Sequence, residues 1–272
     1  MMTTTTSGAK RHRFFDLATK FLGTVVWGSA LIFGLYILAF YALGYVTGDT
    51  DRWNKVLPGL YDPGNAGSTA GIALHFLAGG TILVLGCLQL LEGVRKKYPG
   101  LHRVVGRVYV IACMLAGVGG LVFILLKGTI GGTVMNVGFT GYGVLMLLAS
   151  VQTIRFARKG KFDHHRAWAL RLFALAIASW LYRMSYGFYI GFGGEGGHTD
   201  NFQGWFDYVM DFAFYLPNLL VVEIILGEFA LLRKPWVKSL GAAVMLIAGA
   251  LISFATFIFI RDFWGPGIMS AF

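Results

Sequence analysis

Seven apolar stretches, each long enough to cross a bilayer, run through this 272-residue chain. About 20 mostly apolar residues in a helix span the ~30 Å hydrocarbon core. To within several residues they fall at 22–46, 69–93, 103–127, 133–156, 167–190, 205–231 and 237–261. Composition agrees: 56% of residues are hydrophobic and 13% charged, against about 25% charged in a soluble domain. The prediction is an all-α, polytopic membrane protein with seven transmembrane helices. It forms one transmembrane domain over 1–272, with residues 1–21 as a polar, basic tail and no room for a sizeable soluble domain. The opening "MMTTTTSGAKRHR" has no signal-peptide cleavage site, and the apolar segment after it is long enough to span. Cys87 and Cys113 both fall inside apolar segments, where buried thiols are expected rather than a disulfide.

The net charge of +10 is explained by topology. With the N-terminus inside, 18 of the 23 Lys and Arg residues collect on the inner side: four in the tail, five between Arg95 and Arg107, six between Arg155 and Arg171, and Arg233, Lys234 and Lys238. Arg52, Lys55, Lys127 and Arg261 fall outside, and Arg183 lies within a helix. Such asymmetry sets orientation. It predicts a multi-pass protein of a bacterial inner membrane, N-terminus cytoplasmic and C-terminus outside. The lipid bilayer is the expected partner, and nucleic acid is not.

An internal repeat is visible at an offset of 63. Residues 75–104 lie on 138–167 without a gap, with eight identities in thirty positions. They pair Phe76 with Phe139, Gly80 with Gly143, Leu85 with Leu148, Gln89 with Gln152, Arg95 with Arg158, Lys96 with Lys159, His102 with His165, and Arg103 with Arg166. Helices two and three then form one hairpin, and helices four and five its copy. Both run in the same sense, so the copies are expected to be parallel repeats about an axis near the membrane normal.

At the cytoplasmic side the repeat sets His102 and His165 at equivalent positions. Two imidazoles facing each other across a bundle are what an axially ligated haem b requires, and Arg103, Arg107, Arg166 and Arg171 are candidates to hold its propionates. A transition-metal site from His102, Asp163, His164 and His165 is a chemical alternative. So is plain anchoring of helix starts to anionic headgroups. Gln89 and Gln152, also equivalent, are candidates to hydrogen-bond across the pseudo-axis.

At the outer side three ionisable residues share a depth. His75 and Asp211 lie about 9 Å below their helix starts, and Arg183 about 10 Å below its helix end, at 1.5 Å per residue. Intramembrane charges are costly and tend to pair and to mark function. His75, Arg183 and Asp211 are therefore a candidate ligand or proton site, or a structural Arg183–Asp211 pair. Asp207, Asp211 and Asn218 fall within about 40° on one helix face, and Pro217 is placed to kink that helix. Should His75 bind haem, it has no intramembrane His partner at its depth: His198 falls in the outer loop, and Met135 and Met184 are weak candidates. Glu223 falls in the inner half of helix six and Glu228 near the inner boundary, within reach of Arg233.

No phosphate loop, dinucleotide fingerprint, haem-attachment motif or zinc-protease motif is present. "GGEGGH" (193–198) follows no strand and is an outer loop.

The runs His75…Gly80…Gly86…Gln89, Leu101-His102-Arg103-x-x-Gly106-Arg107-x-Tyr109, His165-Arg166-x-Trp168-x-x-Arg171…Ala174 and Arg183 resemble a family of predicted bacterial integral membrane proteins known only as a domain of unknown function. The resemblance covers roughly residues 70–190. It implies a membrane protein with this helical core and no particular activity. Three functions stay open: a cofactor-binding redox protein using His102 and His165, a transporter or sensor using the outer site, and an accessory subunit of a larger membrane complex.

Overall fold

The computed structural model describes residues 5–194, 196–227 and 234–270, with side chains from Arg13 onward. Among the described residues every regular element is helical: α1 (Thr5–Tyr36), α2 (Leu43–Thr47), α3 (Trp53–Val56), α4 (Ala66–Leu90), α5 (Glu92–Lys97), α6 (Pro99–Leu126), α7 (Gly132–Arg158), α8 (Phe162–Gly191), α9 (Trp205–Ala213), α10 (Leu216–Leu226), α11 (Pro235–Phe259) and α12 (Gly265–Met269). Six helices are long and apolar enough to cross a membrane: Arg13–Thr47, Ala66–Leu90, Pro99–Leu126, Gly132–Arg158, Trp205–Leu226 and Pro235–Met269. The 30-residue α8 is not among them. It carries Arg171, Arg183 and a row of tyrosines, so it is more polar than its neighbours. Glu228 and Arg233, singled out above, lie outside the described residues.

The first and last spans are longer than their apolar cores because each continues through a π-helical turn, Ile37–Ala42 and Ile260–Trp264. Such a turn disturbs the regular ladder. In the first, the Ala39 carbonyl accepts from the Arg52 guanidinium at 3.0 Å, and that guanidinium lies 4.9 Å over Phe40. Elsewhere the ends follow local chemistry. The Asn65 side chain caps α4 by accepting from the Ser68 N–H at 3.0 Å, and prolines open α6, α10 and α11.

Small residues let the backbones approach, as expected where lipid removes the hydrophobic drive between helices. A Cβ on Gly71 of α4 would stand 3.0 Å from the Gly119 carbonyl of α6, and one on Gly34 of α1 would stand 3.0 Å from the Gly80 carbonyl of α4. Leu77, Ile111, Val144, Leu220 and Phe254 face outward, exposed, as a bilayer-contacting surface requires.

α8 is the central element, packed against α1, α4, α7, α10 and α11. Its Leu172, Leu175, Ala178 and Trp180 are fully buried. Trp180 Nε1 donates to Ser29 Oγ at 2.9 Å and Thr256 Oγ1 donates to the same oxygen at 2.7 Å, joining α8, α1 and α11. This position explains the polarity of α8, since a helix surrounded by protein need not be apolar on every face.

The sixth apolar segment is broken between α9 and α10. Pro217 lacks an N–H and its ring crowds the carbonyl four residues earlier. At the break the Phe214 carbonyl accepts from Asn218 Nδ2 at 2.8 Å. Asn218 therefore serves the break and lies on the other helix from Asp207 and Asp211.

Candidate functional site

The turns between α4 and α6, α7 and α8, and α10 and α11 carry most of the lysines and arginines and define a basic end. The far end carries the loops 48–65, 127–131 and 192–204. A cavity of about 370 Å³ occupies the far-end half of the bundle. α1, α4, α6, α7 and α8 wall it, and the segments Leu57–Leu60 and Lys127–Ile130 roof it. Its lining is mainly aliphatic and aromatic. The polar exceptions are His75, Thr129, Tyr142, Ser179, Tyr182, and the cations Lys127 and Arg183; among the described residues no carboxylate lines it.

Lys127 is engaged, with its ammonium 2.8 Å from Asp62 Oδ2. His75 sits where α4 and α6 meet most closely. Its Nδ1–H donates to the Ala116 carbonyl at 2.9 Å, and a Cβ on Gly120 would stand 3.1 Å from that nitrogen. A carbonyl only accepts, so this bond fixes the tautomer and leaves Nε2 as an acceptor. Tyr142 donates to the Leu175 carbonyl at 2.8 Å.

Arg183 is different. Among the described residues it has no hydrogen bond and no ion pair. Its charge reaches the phenols of Tyr36, Tyr41 and Tyr182, none of which is an anion at neutral pH. His75 and Arg183 thus share one cavity, while Asp211 is absent from its lining. No Arg183–Asp211 ion pair forms among the described residues. Asp211 instead packs against α7, where a Cβ on Gly138 would meet the Asp211 Cβ at 3.1 Å. It is fully buried, and neither carboxylate oxygen has a hydrogen-bond partner.

One helical turn earlier, Asp207 is fully buried and well satisfied. Oδ1 accepts from Tyr186 Oη at 2.8 Å and from His198 Nδ1 at 2.7 Å, and Oδ2 accepts from the backbone N–H groups of Gly204 at 2.9 Å and Thr199 at 3.1 Å. This knot folds the 192–204 loop onto α9. Sequence reasoning placed His198 in the outer loop and gave it no role. The readable signal was a glycine-rich loop with an acid at the third residue of the next helix, the spacing of a capping box.

At the basic end His102 and His165 lie close enough for their charges to interact. His165 Nδ1–H donates to the Thr153 carbonyl of α7 at 3.0 Å. His102 Nδ1 is buried without a partner. Gln89 packs against α6, where a Cβ on Gly106 would stand 2.8 Å from its Oε1, and its Nε2 is buried without a partner; Gln152 accepts from Arg155 at 3.4 Å, so the two glutamines do not bond each other. Arg103, Arg107, Arg166, Asp163 and His164 are exposed, and His164 stacks on Phe156. Among the described residues no three His, Cys, Asp or Glu side chains gather as a metal site. The alternative built from His102, Asp163, His164 and His165 is therefore corrected: His165 turns toward α7 while His164 and Asp163 face out. Arg171 is committed to Glu223 of α10, with Nε–Oε1 at 2.6 Å and Nη2–Oε2 at 2.8 Å, and lies 4.8 Å over Trp168. Cys87 and Cys113 are free thiols.

Six apolar helices around a half-polar central helix, with a cavity at one end, define a multi-pass integral membrane protein. The chain belongs to the family described as predicted membrane protein (DUF2306), which matches residues 72–226, from α4 through α10. No curated protein and no solved structure matches it.

Proposed function

We propose that this protein binds an amphiphile within the membrane: an apolar body in the far-end cavity and an anionic head on Arg183. The observation that carries the reading is an intramembrane cation without an ion pair or hydrogen bond, in a cavity that offers no carboxylate. A charge at that depth costs several kcal/mol unless compensated, and a ligand anion supplies the compensation. His75, held in one tautomer, and the Ser179 and Tyr182 hydroxyls add polar contacts. This is the transporter or sensor class of function.

In this reading α8 is the seventh span and the N-terminus is cytoplasmic, so the cavity lies toward the outside of a bacterial inner membrane. The basic residues at one end support that orientation. The α4–α6 and α7–α8 hairpins are parallel repeats, supported by the 63-residue offset and by the proximity of His102 and His165. The test is thermal unfolding of the purified protein with dodecanoate, dodecanol and dodecyltrimethylammonium. Dodecanoate should raise the midpoint most, and Arg183→Gln should abolish its advantage. Equal shifts from all three would end the reading.

A second reading has b-type haem on His102 and His165. Its support is orientation: the His165–Thr153 bond leaves Nε2 for iron, and His102 Nδ1 has no competing partner. Haem there would supply one-electron transfer. Arg103, Arg107 and Arg166 remain for its propionates, whereas Arg171 is engaged by Glu223. A visible spectrum tests it: a Soret band lost in both His102→Ala and His165→Ala supports it, and no band ends it. An accessory role in a larger complex would show as co-purifying chains.

A further inference from the structure

We propose that Asp211 is a proton-carrying carboxylic acid, and that His198, Asp207, Tyr186 and Tyr182 form the path by which its proton exchanges with far-end solvent. Asp211 is fully buried with both oxygens unpartnered. An isolated ionised carboxylate in such a place costs far more than a neutral one, so the group holds a proton. The groups whose charge reaches it are Asp207, one turn earlier on α9, and Tyr182 of α8. From α7 it meets the backbone of Gly138.

Beyond Asp211 the hydrogen bonds are continuous. Tyr182 Oη and Tyr186 Oη are 3.3 Å apart, Tyr186 Oη is 2.8 Å from Asp207 Oδ1, and that oxygen is 2.7 Å from His198 Nδ1. His198 is part-exposed in the 192–204 loop, with 22% of its side chain reaching solvent. Hydroxyl hydrogens rotate, so the chain can carry a proton in either sense.

For an ionised Asp211 the steps balance. Solvent protonates His198 Nε2, and the Nδ1 proton passes to Asp207. Asp207 protonates Tyr186, whose own proton moves to Tyr182, whose own proton reaches Asp211. Net, one hydronium becomes water and one carboxylate becomes an acid. The last step is the one link without a direct hydrogen bond, since both Asp211 oxygens are unpartnered, and it requires a bridging water or a side-chain rotation. Tyr182 also lines the cavity beside Arg183, so the relay passes alongside the proposed anion on its way to Asp211. The proton site itself does not depend on that ligand.

Infrared spectroscopy of the ligand-free protein in lipid tests this apart from any binding. A protonated-carboxyl stretch should be present near neutral pH, vanish in Asp211→Asn and move in Asp211→Glu. On transfer to deuterium oxide the wild-type band should shift quickly. In Tyr186→Phe, which keeps the ring, the band should remain but exchange at least tenfold more slowly. A band unaffected by Asp211→Asn, or exchange in Tyr186→Phe as fast as wild type, would overturn the proposal. Should dodecanoate fail to bind while both infrared results hold, only the cavity reading falls.

Discussion

The Lys127 ammonium lies 2.8 Å from the Asp62 carboxylate, and this contact ties the 48–65 loop to the end of α6. A second tie, from Asn65 Nδ2 to the Leu126 carbonyl at 3.3 Å, runs beside it. The roof segment Leu57–Leu60 belongs to the same loop, so the ion pair holds the cavity shut at its far end.

That clamp should depend on pH. The Lys127 hydrogen bond first, then the Gly64 N–H, hold the Asp62 carboxyl below the usual carboxylate range. A depressed folded value means the clamp is fully present above the ordinary carboxylate pKa and is lost as pH falls through the depressed one. Deuterium uptake at residues 57–61 should be slow at neutral pH and rise in acid. Asp62→Asn should make it several-fold faster at neutral pH, with no acid step. Identical uptake in variant and wild type would remove the clamp from the account.

Ser29 serves two donors from two helices, so its loss leaves Trp180 Nε1 and Thr256 Oγ1 unpaired. Interhelical hydrogen bonds in membranes are worth about 0.6 kcal/mol and up to ~1.7. Ser29→Ala should therefore cost roughly 1–2 kcal/mol in a denaturing-detergent titration. A neutral result would mean that packing alone holds α1, α8 and α11.

The His75 position depends on bare backbone. A Cβ on Gly119 would stand 2.8 Å from the His75 backbone nitrogen, and neither backbone can yield cheaply. Gly119→Ala should destabilise the protein by about 1–3 kcal/mol. It should also weaken dodecanoate binding, because the α4 wall moves with His75. Unchanged stability would show that α4 and α6 tolerate separation.

What the sequence made legible was the hydrophobic skeleton. The spans at 69–93, 103–127 and 133–156 lie within a few residues of α4, α6 and α7, because lipid demands long apolar helices and loops between them. The site was only half legible. Equal depth suggested that Arg183 would meet Asp211, but depth says nothing of which way a side chain turns about its helix axis. Asp211 packs against Gly138 of α7 instead. The cavity was not legible at all, since its roof depends on how the 57–60 and 127–130 segments fold back. The Asp207 knot went unread because two of its four donors are backbone N–H groups and the other two, His198 and Tyr186, come from a folded-back loop and another helix.

The central claim is that Arg183 waits for an anion. Equilibrium dialysis of radiolabelled dodecanoate against the protein in lipid nanodiscs, corrected with empty discs, tests it most directly. The account predicts one saturable site per chain and a Kd at least tenfold weaker in Arg183→Gln, with Arg183→Lys recovering part of the loss. Binding of equal strength in wild type and Arg183→Gln, or none above the empty discs, would contradict it.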